Sequence, residues 1–507
     1  MKTPILGSSY VARSVNAADS RMVNLFPEAI PEGGKEAGFL QRCPGMKLLA
    51  TIGTGPIRGL WSFSSDASVA FVVSGWELYK LSTSYTATLL GVVSGTGPVS
   101  MADNGTQLFV ACNGPSYSYN NTTNVFAQIS DPDFPGAGTV GYIDGYFVFN
   151  QPNSQLIWVT SLLDGTAIDP LEFASAEGSP DGVVGIVVDH REVWVFGTNS
   201  IEVWYDSGAV DFPLQRIQGA FNEIGCAAAY SIAKLDNGLF WLGSDARGRG
   251  IVYRANGYTG TRISTHAVEW QIQQYGTLSD AIGYTYQQDG HAFYVLIFPQ
   301  ANTTWVYDVS TQVWHERAGW VNGAFTRHRS NCQMAFNNKI IVGDYINGDV
   351  YAFDLDTYSD NGQIQKWLRS WRALPAGQNN LKRTSHHSLQ LDCEVGMAME
   401  NNIVPAYIST QTPDPLITES TLYIITDSGQ ITDQAGVMLR WSDDGGHTWS
   451  NYNTRPMGAI GATGTRVIWR RLGMTLKLRD RVYEVTGTDP VKIAIMGAEL
   501  LISGTNA

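Results

Sequence analysis

Asp289-Gly290-His291-Ala292-Phe293-Tyr294-Val295-Leu296-Ile297-Phe298 is the stretch whose reading decides the fold. An Asp-Gly pair ahead of an apolar run is a tight-turn signal. The run Ala292 to Phe298 suits a buried strand and is far too short to cross a bilayer. Thr304-Trp305-Val306-Tyr307-Asp308 follows, with apolar and polar residues alternating. The same unit recurs along the chain. Phe71-Val72-Val73 precedes Glu77-Leu78-Tyr79, and Leu108-Phe109-Val110-Ala111 follows Asn104-Gly105. Tyr146-Phe147-Val148-Phe149 follows Asp144-Gly145, and Val193-Trp194-Val195-Phe196 follows Asp189-His190. Leu239-Phe240-Trp241-Leu242 follows Asn237-Gly238, and Lys339-Ile340-Ile341-Val342 follows Asn337-Asn338. The turns stand roughly 38 to 52 residues apart, the period of propeller blades. A single four-stranded sheet cannot bury both of its faces, whereas a ring of them can. The chain is therefore expected to be all-β, with a β-propeller of six blades, seven being the alternative count. Two stacked sandwiches would give no reason for one period to persist so long.

The period fails at both ends. Residues 1–55 are rich in Pro, Gly and Asn and read as an extended N-terminal arm that forms a platform with the C-terminal domain. The propeller is assigned to 56–361, a connector to 362–384 and a sandwich-like C-terminal β domain to 385–507. In the connector, Ile364, Trp367, Leu368 and Trp371 have helical spacing, so a short amphipathic helix and an extended segment both fit. Pro375 would end a helix. Leu389-Gln390-Leu391, Leu422-Tyr423-Ile424-Ile425, Val467-Ile468-Trp469 and Val482-Tyr483-Glu484-Val485 read as strands of the last domain, and 401–421 as a loop insertion.

That domain holds the pattern S-x-D-x-G-x-T-W, at Ser442-Asp443-Asp444-Gly445-Gly446-His447-Thr448-Trp449. It is the pattern of an Asp-box hairpin. Asp444 is placed to accept backbone N–H bonds and pin the turn. Ser442 and Gly446 complete the box, and Trp449 can fold back over it. A Trp ring buried there predicts a cost of about 3–5 kcal/mol for Trp449→Ala. Such boxes also decorate sialidase propellers. A sialidase site needs an arginine cluster, a tyrosine nucleophile with a glutamate partner, and an acid aspartate. Here there is one good box, and it lies outside the repeats.

Sparse charge with plentiful Gly and aromatics belongs to a turn-rich β protein. The formal charge of −13 argues against a dedicated nucleic-acid binder, which displaces counterions with basic faces. Five cysteines, Cys43, Cys112, Cys226, Cys332 and Cys393, stand far apart and suit free thiols. The opening MKTPILGSSY lacks the apolar run of a signal peptide. Asn121-Thr122-Thr123 and Asn302-Thr303-Thr304 then read as surface turns. His386-His387 has no third ligand at metal spacing, and Asp354, Asp356 and Asp360 lack the Gly and Glu of a calcium loop. Gly53-Thr54-Gly55 and Arg247-Gly248-Arg249-Gly250 are not phosphate loops, and no G-x-S-x-G elbow occurs. No catalytic residue, metal site or cofactor is expected. Two basic clusters remain. One holds Lys366, Arg369, Arg372, Lys382 and Arg383; the other holds Arg466, Arg470, Arg471, Lys477, Arg479 and Arg481. With Trp469 they make a candidate assembly interface, since Arg and Trp are enriched at such surfaces.

Several stretches taken in order carry a family resemblance. They include Gly45-Met46-Lys47-Leu48-Leu49, Gly55-Pro56-Ile57-Arg58-Gly59-Leu60, Ser179-Pro180-Asp181-Gly182-Val183-Val184-Gly185-Ile186 and Ser200-Ile201-Glu202-Val203-Trp204. The Asp box, Arg466-Val467-Ile468-Trp469-Arg470-Arg471-Leu472-Gly473, Arg479-Asp480-Arg481-Val482-Tyr483-Glu484 and Asp489-Pro490-Val491-Lys492 continue the series. Together they resemble the packaged-DNA-stabilisation proteins of short-tailed bacteriophages, also called tail hub or nozzle proteins. The stretch 401–421 departs from that pattern. The resemblance implies a non-enzymatic virion protein of the tail, made in the host cytoplasm. It implies a homo-oligomeric, hexameric ring below the portal-adaptor, continuing the DNA channel and retaining the packaged DNA. Tail fibres or spikes and a plug or needle would attach to it. The acidic balance agrees with an acidic or neutral lumen that lets DNA pass without gripping it.

Overall fold

A computed structural model of the chain describes residues 1–14, 19–31, 34–176, 178–210, 212–245, 248–374, 383–399, 434–475 and 481–504. The chain forms two compact units. One is Met1–Met46 with Gly319–Ala324 and Asp354–Ala507; the other is Lys47–Ala318 with Phe325–Phe353.

The second unit is a β-propeller. Blade 1 is the meander Ile57–Ser62, Val69–Ser74, Glu77–Ser82, Ala87–Val92. Blades 2, 3, 4 and 6 repeat that order over 100–128, 140–175, 183–222 and 282–316; blade 5, over 225–262, splits its first strand into Gly225–Cys226 and Ala233–Leu235, both paired with Gly238–Asp245. Each apolar anchor is the second strand of its own blade. In Val69–Ser74 all residues are buried, because neighbouring blades cover both sheet faces. That is why the anchors are continuous apolar runs and not alternating ones. The core lies between blades: Phe71, Val73 and Leu78 meet Leu108, Val110 and Tyr119 across the blade 1–2 seam. The hairpin turns take the left-handed backbone their residues favour, with φ of 46° at Asp144, 47° at Asp289, and 51° and 55° at Asn337 and Asn338.

Seven blades are present among the described residues, the upper of the two counts read from the sequence. The favoured count of six fell short for a physical reason. Blade 7 has three consecutive strands, Ser330–Phe336, Lys339–Asp344 and Asp349–Asp354, and takes its outer strand from Gly45–Thr51. The closing strand is thus distant in sequence and sits inside the stretch 1–55. Ile52 N donates to Gly348 O at 2.7 Å, and Thr51 Oγ1 to Asp349 Oδ1 at 2.6 Å, continuing the seam.

The first unit is a β-sandwich. One sheet runs Val467–Met474, Thr384–Cys393, Ala494–Gly504, Gly38–Arg42, Leu25–Ala29, with Lys2–Thr3 also on Ala494–Gly504. The other holds Met22–Val23, Trp367–Arg372, Val482–Gly487, Gly436–Ser442 and Asn453–Pro456 in that order. N-terminal strands enter both sheets. Trp367–Arg372 is a strand, so the helical reading of Ile364, Trp367, Leu368 and Trp371 fails. A strand buried on both faces produces the same apolar clustering as one face of a helix. The expected strand Leu422–Ile425, the insertion 401–421, Pro375, Arg247, Lys382, Lys477 and Arg479 lie outside the described residues.

His386 and Tyr483 tie the two sheets together, with Nδ1 and the phenol oxygen 2.7 Å apart. Burial, with the Arg481 charge and His387, pushes His386 down to about 3. In the propeller, burial beside Arg317 and Arg329 pushes His328 down to about 3. Both are neutral in the fold, while a histidine in the unfolded chain protonates near 6.5. Protons therefore favour the unfolded chain as pH falls from about 6.5 towards 3. Each of the two histidines is expected to remove up to about 1.4 kcal/mol per pH unit across that window. Thermal melts between pH 7 and about 5.5, above most of the ordinary carboxylate range, measure it. His386→Gln should flatten the slope, and an unchanged slope would refute its share.

Candidate assembly surfaces

The Asp box is a closed hydrogen-bond network. Ser442 Oγ donates to Asp444 Oδ1 at 2.6 Å and accepts from Gly446 N at 2.8 Å. Thr448 donates to both Asp444 oxygens, from N at 2.8 Å and from Oγ1 at 2.7 Å. The Ser442 and Thr448 bonds hold the Asp444 carboxyl far below the usual carboxylate range. A carboxylate so held cannot serve as a general acid near neutral pH. Trp449 Nε1 donates to Gly446 O at 3.1 Å, and the Arg440 guanidinium lies 4.6 Å above its ring. Trp449 is only half-buried. The full-burial figure of about 3–5 kcal/mol therefore comes down. We expect Trp449→Ala to lower sandwich stability by about 2 kcal/mol in denaturant titrations.

Two ion pairs adjoin the box. Arg440 forks onto Glu484 at 2.6 and 2.8 Å, and Tyr452 donates to the same carboxylate at 3.0 Å. Arg481 forks onto Asp443 at 2.6 and 2.8 Å and donates to Leu472 O at 2.8 Å.

The residues expected at an interface divide by burial. Trp469 is fully buried in the sandwich, and its Nε1 donates to Asn453 O at 2.7 Å. Arg369 is buried and donates to Ile5 O at 2.7 Å; Arg481 is buried as described. Lys366 is buried with its Nζ 3.9 Å above the Trp320 ring. Burial removes these four from the outer surface and makes them internal ties of the unit. Arg372 is half-buried. Arg470 and Arg471 are exposed, and no acidic partner meets either among the described residues. Alternation along the strand parts Trp469 from Arg470, but it would turn Arg471 inward; only the bulge opposite His386 and Ser388 turns Arg471 out, and spacing does not show a bulge. His387 is exposed with Nε2 2.8 Å from Ser503 Oγ, apart from the buried His386.

The innermost strands of the seven blades enclose a cavity of about 710 Å³. Arg58 at its wall is buried and donates to three carbonyls, of Gly97, Gly75 and Ser94. Its charge is spent on the fold. No group of three or more His, Cys, Asp or Glu side chains converges as a metal site among the described residues. No helix of the described residues is long and apolar enough to cross a membrane.

The sequence reading missed one surface feature. The loop Ser161-Leu162-Leu163-Asp164-Gly165-Thr166-Ala167-Ile168-Asp169-Pro170-Leu171 of blade 3 exposes leucines at its tip. Its signal was two adjacent leucines between a strand end and an Asp-Gly turn.

Residues 1–358 match the family model described as the bacteriophage P22 Gp10 β-propeller, and residues 415–503 match that of the Gp10 β-sandwich. Tail hub protein gp10 of Salmonella phage P22 is 24% identical over 294 residues, covering 54% of this chain and 59% of that protein. The match thus spans about three-fifths of the length of that curated relative. Among solved structures, the N-terminal domain of Nup159 aligns at TM-score 0.39 and 10% identity, over 66% of this chain and 98% of that one. The extracellular domain of the putative one-component system BT4673 from B. thetaiotaomicron aligns at TM-score 0.40 and 12% identity, over 89% and 58%. Both superpositions are too loose to bear on function.

Proposed function

Because the chain belongs to the bacteriophage P22 Gp10 family, we propose that it is a structural tail hub of a virion. The observation that carries this reading is the pairing of the two family domains, with N-terminal strands woven into both sheets of the sandwich and into the last blade. Six copies would form a ring below the portal-adaptor, continue the DNA channel and hold the packaged genome. Tail fibres or spikes and a plug or needle would attach to the ring. We assign the chain no catalysis. The locked Asp444 carboxylate and the inward Arg481 support a scaffold over a glycan-cleaving propeller. The lumen would be acidic or neutral, so that DNA slides past it.

An amber allele in the phage that encodes this chain tests the proposal. Without the chain, heads should fill with DNA and then lose it, and supplied chain should restore retention. Stable, infectious particles lacking the chain would overturn the reading. Turnover of sialosides or host polysaccharide by the pure chain would overturn the non-enzymatic assignment.

A further inference from the structure

The blade 3 loop spends stability without an internal return. Leu162, Leu163 and Leu171 are 58%, 64% and 78% exposed. Leu163 also sits at φ 62°, a left-handed backbone that leucine rarely adopts. The loop is nevertheless held firmly. Leu163 N donates to Gly145 O at 2.8 Å, Gly165 N to Gln107 Oε1 at 2.8 Å, and Ile168 N to Asp131 Oδ2 at 3.1 Å. It joins the third and fourth strands of its blade, so it leaves the propeller on the face of the Asp144-Gly145 turn. The corresponding loop of blade 4 leaves on the same face and exposes Val210. Carboxylates border these tips. Burial and the neighbouring Asp169 raise the Glu172 carboxyl above its ordinary range. One Glu172 oxygen is buried with no hydrogen-bond partner. Burial, with the charges of Asp206 and Glu172, raises the Tyr146 phenol above its ordinary range. A rigid apolar tip amid crowded carboxylates fits a surface that is apolar and cationic.

The chain carries such a surface on its sandwich unit. In the outer sheet, Arg470 pairs with Ser388, which pairs with Leu501. Directly opposed residues share a sheet face. This is the outward face, since Trp469, Leu389 and Leu500 of the adjacent row are buried. Leu501 is 60% exposed, and Met474 is exposed on the same strand as Arg470. A bulge opposite His386 and Ser388 sets Arg471, also left-handed at φ 59°, out of the regular ladder.

We propose that the Leu162-Leu163 loop of one copy docks on the Arg470-Arg471 face of a second copy of this chain. Leucines meet Leu501 and Met474, and the two arginines meet Glu172 and its acidic neighbours. Two different patches make a head-to-tail contact, the kind that closes a ring when its rotation permits. The inference rests on the ring reading above.

Sedimentation of the full chain over a range of concentrations, with cross-linking of the associated form, tests it. Leu171→Lys with Glu172→Lys reverses one patch; Arg470→Glu with Arg471→Glu reverses the other. Either pair is expected to weaken association by about tenfold or more, and all four together to restore it. Unchanged melting curves separate this from misfolding, since none of the four side chains makes a hydrogen bond among the described residues. Association untouched by either pair would overturn this contact and leave the ring standing. Loop cross-links only to another protein of the assembled tail would do the same. A wild-type chain that stays monomeric at every concentration would overturn both.

Discussion

Asp443→Ala is expected to destabilise the sandwich by about 3–5 kcal/mol. The reason is the partner it abandons. The Arg481 side chain is 2% exposed, whereas Asp443 is 20% exposed, so the mutation strands a guanidinium that water cannot reach. Leu472 O and Met474 O would still accept, at 2.8 and 3.4 Å, but both bonds of the fork are lost. The cost is that of an uncompensated charge and is not the net value of the ion pair. The double variant Asp443→Leu with Arg481→Met should therefore melt above the single one, because it removes charge and countercharge together. A single variant that melts within about 2 °C of wild type would refute the argument.

Gly55→Ala should open the propeller. Gly55 has φ 73°, and a Cβ there would lie 2.0 Å from the Asn347 carbonyl carbon and 2.2 Å from its oxygen. These are backbone atoms of blade 7, which cannot rotate away as a side chain can. The left-handed backbone alone costs about 1 kcal/mol. The clash adds to it by pushing the closing segment off Gly348, so about 3 kcal/mol or more is expected in total. Gly208→Ala is the control: φ is 68° there and nothing lies within 4 Å of the new Cβ. Limited proteolysis and melting should show a loosened propeller in the first variant and about 1 kcal/mol in the control. Equal effects would mean that only backbone strain matters at Gly55.

The two sites explain what was legible beforehand. Every apolar anchor, from Phe71-Val72-Val73 to Ile340-Ile341-Val342, lies in a second strand, because burial on both faces writes a continuous apolar run into the sequence. The Asp-Gly and Asn-Asn turns were legible because their backbone needs those residues. The Asp box was readable for the same reason, as its bonds connect residues at most four apart. Local chemistry thus determined the all-β class, the repeat and the hairpin.

Long-range pairing decided the rest. The seventh blade had no contiguous fourth strand to count, since Gly45–Thr51 closes it from the far end of the chain. Trp367–Arg372 could not be told from a helix until Met22–Val23 and Val482–Gly487 were seen to flank it. The arginines were the hardest case. Arg369 and Arg481 turn inward to carbonyls and a carboxylate, while Arg470 and Arg471 face solvent. The chemical formula of a guanidinium is the same in both places. Only the fold, by supplying or withholding acceptors around it, makes it a tie within the molecule or a charge on its surface.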